Sequence, residues 1–270
     1  MPHPRRRRAL VLALLALPAV VLFALPVWTL NIALLRDPPR SWAATTTGSW
    51  ASMIYVARTD SGVVAVDLGW VGAERALRGA LREIDATPND VVAVFLTHSH
   101  RDHIAAWPLV RHARFYLGAA ELPRLVGGAE HRGALTRAAE AVRRTRRPAD
   151  GELDLRPFAH DTAIAFGRDT VWGYLVPGHT AGSAAYVVRG VLFAGDAATK
   201  RPLTSFRGAH PGYSDDVGAS RESMRSLFAR LAREGARVVT LCTAHGKCGA
   251  LDDEMRRRVV ESRVRGWLPL

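Results

Sequence analysis

Cysteine is nearly absent from this chain: Cys242 and Cys248 are the only two among 270 residues. Two cysteines exclude the multi-bridge framework that staples small secreted domains. They leave open one bridge across a short loop in an exported domain. The reading we favour is two unpaired thiols, Cys242 buried at a strand end and Cys248 in an unrelated loop. Acidic residues are also few, 25 against 37 basic ones, for a net charge of +12. Such a balance invites a nucleic-acid partner. However, most of the excess is arginine spread along the whole chain, with dense runs only at Arg5 to Arg8 and at Arg143-Arg144-Thr145-Arg146-Arg147. No aromatic interleaving and no recognisable binding motif accompany it, so solvated basic faces are expected and nucleic acid is not the expected partner. A nucleic-acid processing role remains an alternative, one that would show tight binding at low salt and a steep loss as salt rises. Internal repeats are absent, as is low complexity beyond the N-terminus.

What is present begins with a membrane signal. Arg5 to Arg8 precede an uncharged apolar segment, residues 9–35. A helix crossing a bilayer needs about 20 apolar residues, whereas a signal-peptide core has about 7–15. No clean small-x-small cleavage site follows, and Pro18 and Pro26 are tolerated in a membrane span. We therefore expect one N-terminal transmembrane helix with the arginines cytoplasmic and the remainder on the extracytoplasmic side. The alternative is a cleaved signal peptide and a secreted protein. Residues 36–48, with Asp37-Pro38-Pro39, read as a linker, and residues 49–270 as one domain. The chain is 48% hydrophobic and 23% charged, enough for one good core.

Past the linker, strand-like and helix-like runs alternate. Residues 53–57 and 63–68 read as a hairpin around Thr59-Asp60-Ser61-Gly62. Further strands are expected at 91–96, 113–117, 170–176, 184–188, 191–194 and 237–242. Helices are expected at 72–85, 128–147, 215–234 and 251–265, with one beginning at Ile104. In the third of these, Met224, Leu227, Phe228 and Leu231 form an apolar stripe that reads as core. The order suggests mixed sheets with helices on their outer faces.

The stretch that carries chemistry is Thr97-His98-Ser99-His100-Arg101-Asp102-His103, at the mouth of the 91–96 strand. Three histidines and a carboxylate within six positions offer ligand types that suit zinc and similar divalent ions. A lone histidine is an ordinary structural residue, but four such residues at this spacing read as a metal site. Three more stretches place ligand types after strand-like runs: His179 in Pro177-Gly178-His179-Thr180, Asp196 after Gly195, and His245 before Gly246. Strand ends hold ligands rigidly, and glycines let the backbone come close. His3, His112, His131, His160 and His210 lack ligand-spaced neighbours and read as ordinary.

Taken together, His98-Ser99-His100-Arg101-Asp102-His103, His179, Asp196 and His245 resemble the metallo-β-lactamase superfamily, in that family's order, over residues 49–249. Asp67, in Val66-Asp67-Leu68-Gly69, is similar to the family's early strand-end aspartate. The resemblance implies an α+β, four-layer αβ/βα sandwich. It implies that His98, His100 and His179 bind one metal, that Asp102, His103 and His245 bind a second, and that Asp196 bridges them. The implied cofactors are two divalent ions, zinc first, with iron or manganese as alternatives. Aspartate at 196 points away from the cysteine-ligand β-lactamases and toward hydroxyacylglutathione hydrolases, lactonases and related phosphodiesterases.

The implied activity is attack by a metal-bound hydroxide on a small ester, lactone, thioester or phosphoester, with Asp102 and Asp196 as the catalytic carboxylates. Asp67 is expected either to orient a histidine or to cap a turn. Lys200, Arg201, Arg207 and Tyr213 are candidates to line a pocket for an anionic substrate group, against the ordinary reading of solvated loop charges. Departures from the family's better-known members also count. No tyrosine follows Asp196 closely, as it does in lactonases. The stretch after Gly249 is too short for a helical substrate domain, and flavin-binding and nuclease insertions are absent. The same fold can hold a single iron for dioxygenase chemistry, which stands as a rival reading.

Overall fold

The computed structural model describes residues 41–47, 52–127, 132–142, 146–200, 206–246 and 248–261. In the first half, β1 (Ala43–Thr47), β2 (Ser52–Thr59) and β3 (Gly62–Val66) lead into helix α1 (Ala73–Arg82). β4 (Val91–Phe95) and β5 (Arg114–Gly118) follow, then the one-turn α2 (Leu122–Leu125), α3 (Ala134–Val142) and β6 (Asp154–Phe158). These six strands form one sheet in sequence order. In the second half come β7 (Thr162–Phe166), β8 (Asp169–Leu175), β9 (Ala184–Val188) and β10 (Val191–Phe193). The short ribbon of β11 (Ala198–Lys200) and β12 (Phe206–Gly208) precedes α4 (Val217–Arg233), β13 (Thr240–Cys242), β14 (Cys248–Ala250) and α5 (Asp253–Glu261). The second sheet runs β14-β13-β10-β9-β8-β7.

The central strands are apolar on both faces because both faces are covered. Side chains alternate along a strand. Thus Ile54 and Val56 of β2 pack outward with Leu77 and Leu81 of α1, while Met53, Tyr55 and Ala57 pack inward with Phe193 and Tyr186 of the other sheet. On the far side, Leu192 and Val187 face Met224, Leu227, Phe228 and Leu231 of α4 and Val259 of α5. The layers are helix, sheet, sheet, helix, as the four-layer expectation has it. The apolar stripe of α4 is core, and Asp216 caps that helix by accepting from Ala219 N at 2.9 Å.

Several expectations need correction. Residues 43–47, assigned to the linker, are strand β1, because Thr47 Oγ1 donates to Ser52 O and accepts from Trp70 N, folding the segment onto β2. The helix expected from Ile104 is a run of turns and then a 3-10 turn at Trp107–Val110. Pro108 has no N–H to give to Ile104 O, and Trp107 N and Leu109 N close shorter bonds to Ile104 O and Ala106 O. β6 and β7 were missed because both are sheet edges with largely solvated residues, and β6 carries Pro157. The helix expected over 128–147 spans Ala134–Val142, with residues 128–131 and 143–145 outside the described ones. Cys242 and Cys248 are not separate thiols: they are joined by a disulfide, facing each other in the β13–β14 register. The apolar segment 9–35 lies outside the described residues. Among the described residues no helix is long and apolar enough to cross a membrane.

Candidate metal centre

The candidate ligands stand where corresponding ends of the two sheets meet. β4 delivers the chain to Thr97, whose carbonyl accepts from Ala184 N at the start of β9, tying the sheets together at 2.8 Å. His179 follows β8, Asp196 lies in the 3-10 turn after β10, and His245 lies between β13 and β14. Gly195 has φ 51°, and a Cβ there would stand 2.5 Å from Thr97 Cβ. Only glycine lets the Asp196 turn close against the histidine loop.

This convergence brings all seven sequence-nominated residues into one cluster. Nε2 of His179 is 3.1 Å from His98 Nε2 and 3.1 Å from His100 Nδ1. His245 Nε2 lies 3.3 Å from Asp102 Oδ2, and His103 Nε2 lies 3.9 Å from Asp102 Oδ1. Between these groups sits one oxygen, Asp196 Oδ2, at 3.6 Å from His179 Nε2, 3.4 Å from His245 Nε2 and 3.9 Å from His103 Nε2. The ligand atoms of His98, His100 and His179, those of His98, His103 and Asp196, and those of Asp102, His103 and His245 each lie within 4.8 Å of one another. The side chains of Asp102 and His245 are 24% and 25% exposed, while those of His103 and His179 are at most 1%. Solvent therefore reaches the centre from the Asp102–His245 side.

The outer nitrogens of three imidazoles are fixed by hydrogen-bond chains. Asp67, a buried non-glycine residue at φ 56°, accepts from Thr97 N and Thr97 Oγ1 at 2.8 Å and from His103 Nδ1 at 2.9 Å. A carboxylate only accepts, so the Thr97 hydroxyl spends its proton on Asp67 and accepts from His98 Nδ1 at 3.1 Å. Ser214 Oγ donates to His210 O and so accepts from His179 Nδ1 at 3.0 Å. In their neutral forms His98, His103 and His179 thus present bare Nε2 lone pairs inward. Asp67 orients a histidine, which resolves its two expected roles.

Burial and charge act in opposite directions here. Burial pushes His103 down, but Asp67, Asp102 and Asp196 more than reverse it and hold it at about 9. Burial likewise lowers His245, and Asp196 and Asp102 carry it well above the ordinary histidine range. Burial raises Asp102, yet His103, His245 and His100 hold it far below the usual carboxylate range; His245 and His103 similarly hold Asp196 at about 2 against its burial. His179 is lowered by burial. The carboxylates thus attract positive charge into the cluster, as a divalent cation requires. His103 Nε2 and Asp196 Oδ1 are buried without a hydrogen-bond partner. Unpaired buried donors and acceptors are costly, and these two fit metal ligands.

Sequence reasoning missed two supports. Ser214 follows Tyr213 in the loop nominated as a pocket wall, and it backs His179. Glu121, fully buried, accepts from Ser99 N and Ser99 Oγ on the first histidine loop and from Gly182 N on the His179 loop. No local pattern marks either residue, since each acts on a loop far away in sequence. Tyr213 packs beside His210 and accepts through its carbonyl from Thr136, and Arg207 lies in β12. Arg201 is outside the described residues. His112 and His160 are exposed and apart from the cluster, as expected.

The layered fold and its cluster of imidazoles and carboxylates define a class of metal-dependent enzymes. Residues 47–234 match the Metallo-beta-lactamase superfamily. The chain belongs to that superfamily and is a metal-dependent hydrolase. A protein of Bacillus velezensis named "Probable polyketide biosynthesis zinc-dependent hydrolase BaeB" is 28% identical over 187 residues, 67% of this chain and 67% of its own. Among solved structures, the archaeal superfamily protein ST1585 from Sulfolobus tokodaii superposes with a TM-score of 0.63 at 16% identity, covering 86% of this chain and 91% of its own. BLEG-1, a B3 metallo-beta-lactamase, gives 0.60 at 25% identity, covering 82% and 100%.

Proposed function

We propose that the centre holds two divalent ions, zinc first, and hydrolyses a small ester, lactone, thioester or phosphoester. His98, His100 and His179 would hold one ion, Asp102, His103 and His245 the other, with Asp196 shared. The observation that carries this is Asp196 Oδ2, one carboxylate oxygen within 3.6 Å of His179 Nε2 and 3.4 Å of His245 Nε2. Zinc is supported by the donor set and by the name of the Bacillus velezensis relative. When bound, such ions lower the pKa of a coordinated water to about 7 and polarise an acyl or phosphoryl oxygen.

The chain's own residues do the rest. Asp67, Thr97 and Ser214 keep imidazole protons on the outer nitrogens. Asp102 and Asp196 offset the cationic charge, and Asp102, a quarter exposed on the open side, orients water by accepting a hydrogen bond from it. Lys200, whose backbone lies against Gly246 beside His245, would offer its ammonium to an anionic group on the substrate. The domain works outside the cytoplasm, anchored by residues 9–35. The Cys242–Cys248 disulfide supports that location, because such bonds persist in oxidising compartments.

The test combines metal analysis of protein purified from native expression with a screen of lactone, thioester and phosphodiester reporters. Two zinc ions per chain and turnover of one reporter class are expected, with His98→Ala and Asp196→Ala inactive. A single iron per chain, or full activity in Asp196→Ala, would overturn the reading. A reporter enzyme fused after Leu270, active only when exported, checks the location.

A further inference from the structure

We infer that the Cys242–Cys248 disulfide holds His245 in its ligating position, so that one cation position depends on this bond and the other does not. The inference rests on the two-ion reading above. His245 occupies a short loop whose two ends are treated differently. On the β13 side, Tyr55 Oη donates to Thr243 O at 2.8 Å, Met53 N donates to Ala244 O at 2.9 Å, and Ala244 N donates to Gly195 O at 3.2 Å. These bonds, with the antiparallel bridge between Ser52 and His245, anchor the chain through His245 itself.

On the other side the chain passes through Gly246, at φ 124°, into β14, which is only Cys248-Gly249-Ala250. That strand is a sheet edge whose strand neighbour is β13 alone among the described residues. A three-residue edge strand with a central glycine and a glycine before it is weakly held by itself. The disulfide joins it to β13 at the register pair nearest His245. Both cysteines are buried, packed with Trp42, Met53, Tyr55 and Phe193. The bond therefore adds a covalent tie to the short β13–β14 ladder that follows His245. His98, His100 and His179 lie on other loops, held by Thr97, Glu121 and Ser214.

Closing a loop of this size restricts the open chain by a factor on the order of fifty in the chain-entropy view. Part of that restriction is already supplied on the β13 side, so loss of the bond should weaken the His245-containing position roughly tenfold to fiftyfold. The metal-free protein would be titrated with zinc against a chromogenic chelator, comparing wild type with Cys242→Ala/Cys248→Ala, which also removes thiols that would themselves bind zinc. Folding would be checked by circular dichroism. Wild type is expected to bind two ions, and the variant to keep one at wild-type affinity while the other weakens. Unchanged affinity at both positions, or an equal loss at both, would overturn the inference alone. A wild type that takes up only one ion would overturn the two-ion reading and the inference with it. Should the variant not fold, Cys242→Ser/Cys248→Ser, which likewise carries no thiols, is titrated in the same way, and failure of the loss to appear there would count against the clamp.

Discussion

Replacing Asp67 with asparagine exchanges one oxygen for an NH2 group at the buried hub of the histidine network. Asparagine matches aspartate in size and tolerates the left-handed backbone at φ 56°. Thr97 N is a fixed backbone donor 2.8 Å from Oδ1, so the amide oxygen must face it and the NH2 must take the place of Oδ2. There it meets Thr97 Oγ1 at 2.8 Å and His103 Nδ1 at 2.9 Å, both of which now donate. Both must become acceptors. The Thr97 hydroxyl then turns its proton toward His98 Nδ1, and the protons of His98 and His103 move to Nε2, the atoms that face the centre. Restoring the ligating forms would set donor against donor at a cost of about 1.5–3 kcal/mol, the worth of a hydrogen bond to a charged group. We expect zinc affinity to fall about 10- to 100-fold, while the metal-free protein loses no more than about 2 kcal/mol. Chelator-competition titration measures the first quantity, and denaturation in excess chelator the second. Wild-type zinc affinity in Asp67→Asn would refute the tautomer argument.

Other outcomes follow from the same contacts. Glu121→Ala leaves Ser99 N and Gly182 N without their acceptor, at about 1–3 kcal/mol each, so denaturant unfolding of the metal-free protein should register a loss of about 3 kcal/mol; a loss under about 0.5 kcal/mol would contradict the clamp between the two loops. Gly195→Ala places a Cβ 2.5 Å from Thr97 Cβ at positive φ, and should cost more than about 2 kcal/mol and displace Asp196, read as lower thermal stability together with weaker zinc binding. Asp196→Ala and His98→Ala should abolish turnover while circular dichroism stays like wild type. Zinc at a hundred times its dissociation constant should stabilise the fold by about 2.7 kcal/mol for each ion bound, seen as a melting temperature that rises with added metal and returns with chelator.

Much of the candidate site was legible because its candidate ligands are local in sequence or flank recognisable strands. His98 to His103 form one short segment, and His179, Asp196 and His245 each follow an apolar run with a glycine beside them. Interior strands were legible for a related reason: burial on both faces writes a continuous apolar run, as in β4 and β9. Strands β1, β6 and β7 were not, since edge strands are defined by what they pair with and their own residues are polar or mixed. The helix expected from Ile104 fails at a local signal: Pro108 cannot donate to Ile104 O, and the chain tightens into a 3-10 turn that helical periodicity alone does not encode.

What the sequence determined by itself is the chemistry: which side chains are candidate ligands, the order in which they come, and the family they mark. Only the tertiary structure decided the rest. It placed one oxygen of Asp196 between two histidine groups, turned Asp67 toward His103 and Thr97, set Ser214 behind His179 and Glu121 across two loops, and paired Cys242 with Cys248 beside His245. Ligand identity is a property of single residues and short spacings. The direction in which a buried imidazole presents its lone pair depends on partners brought in from as far as 36 residues away, and only the folded chain assembles them.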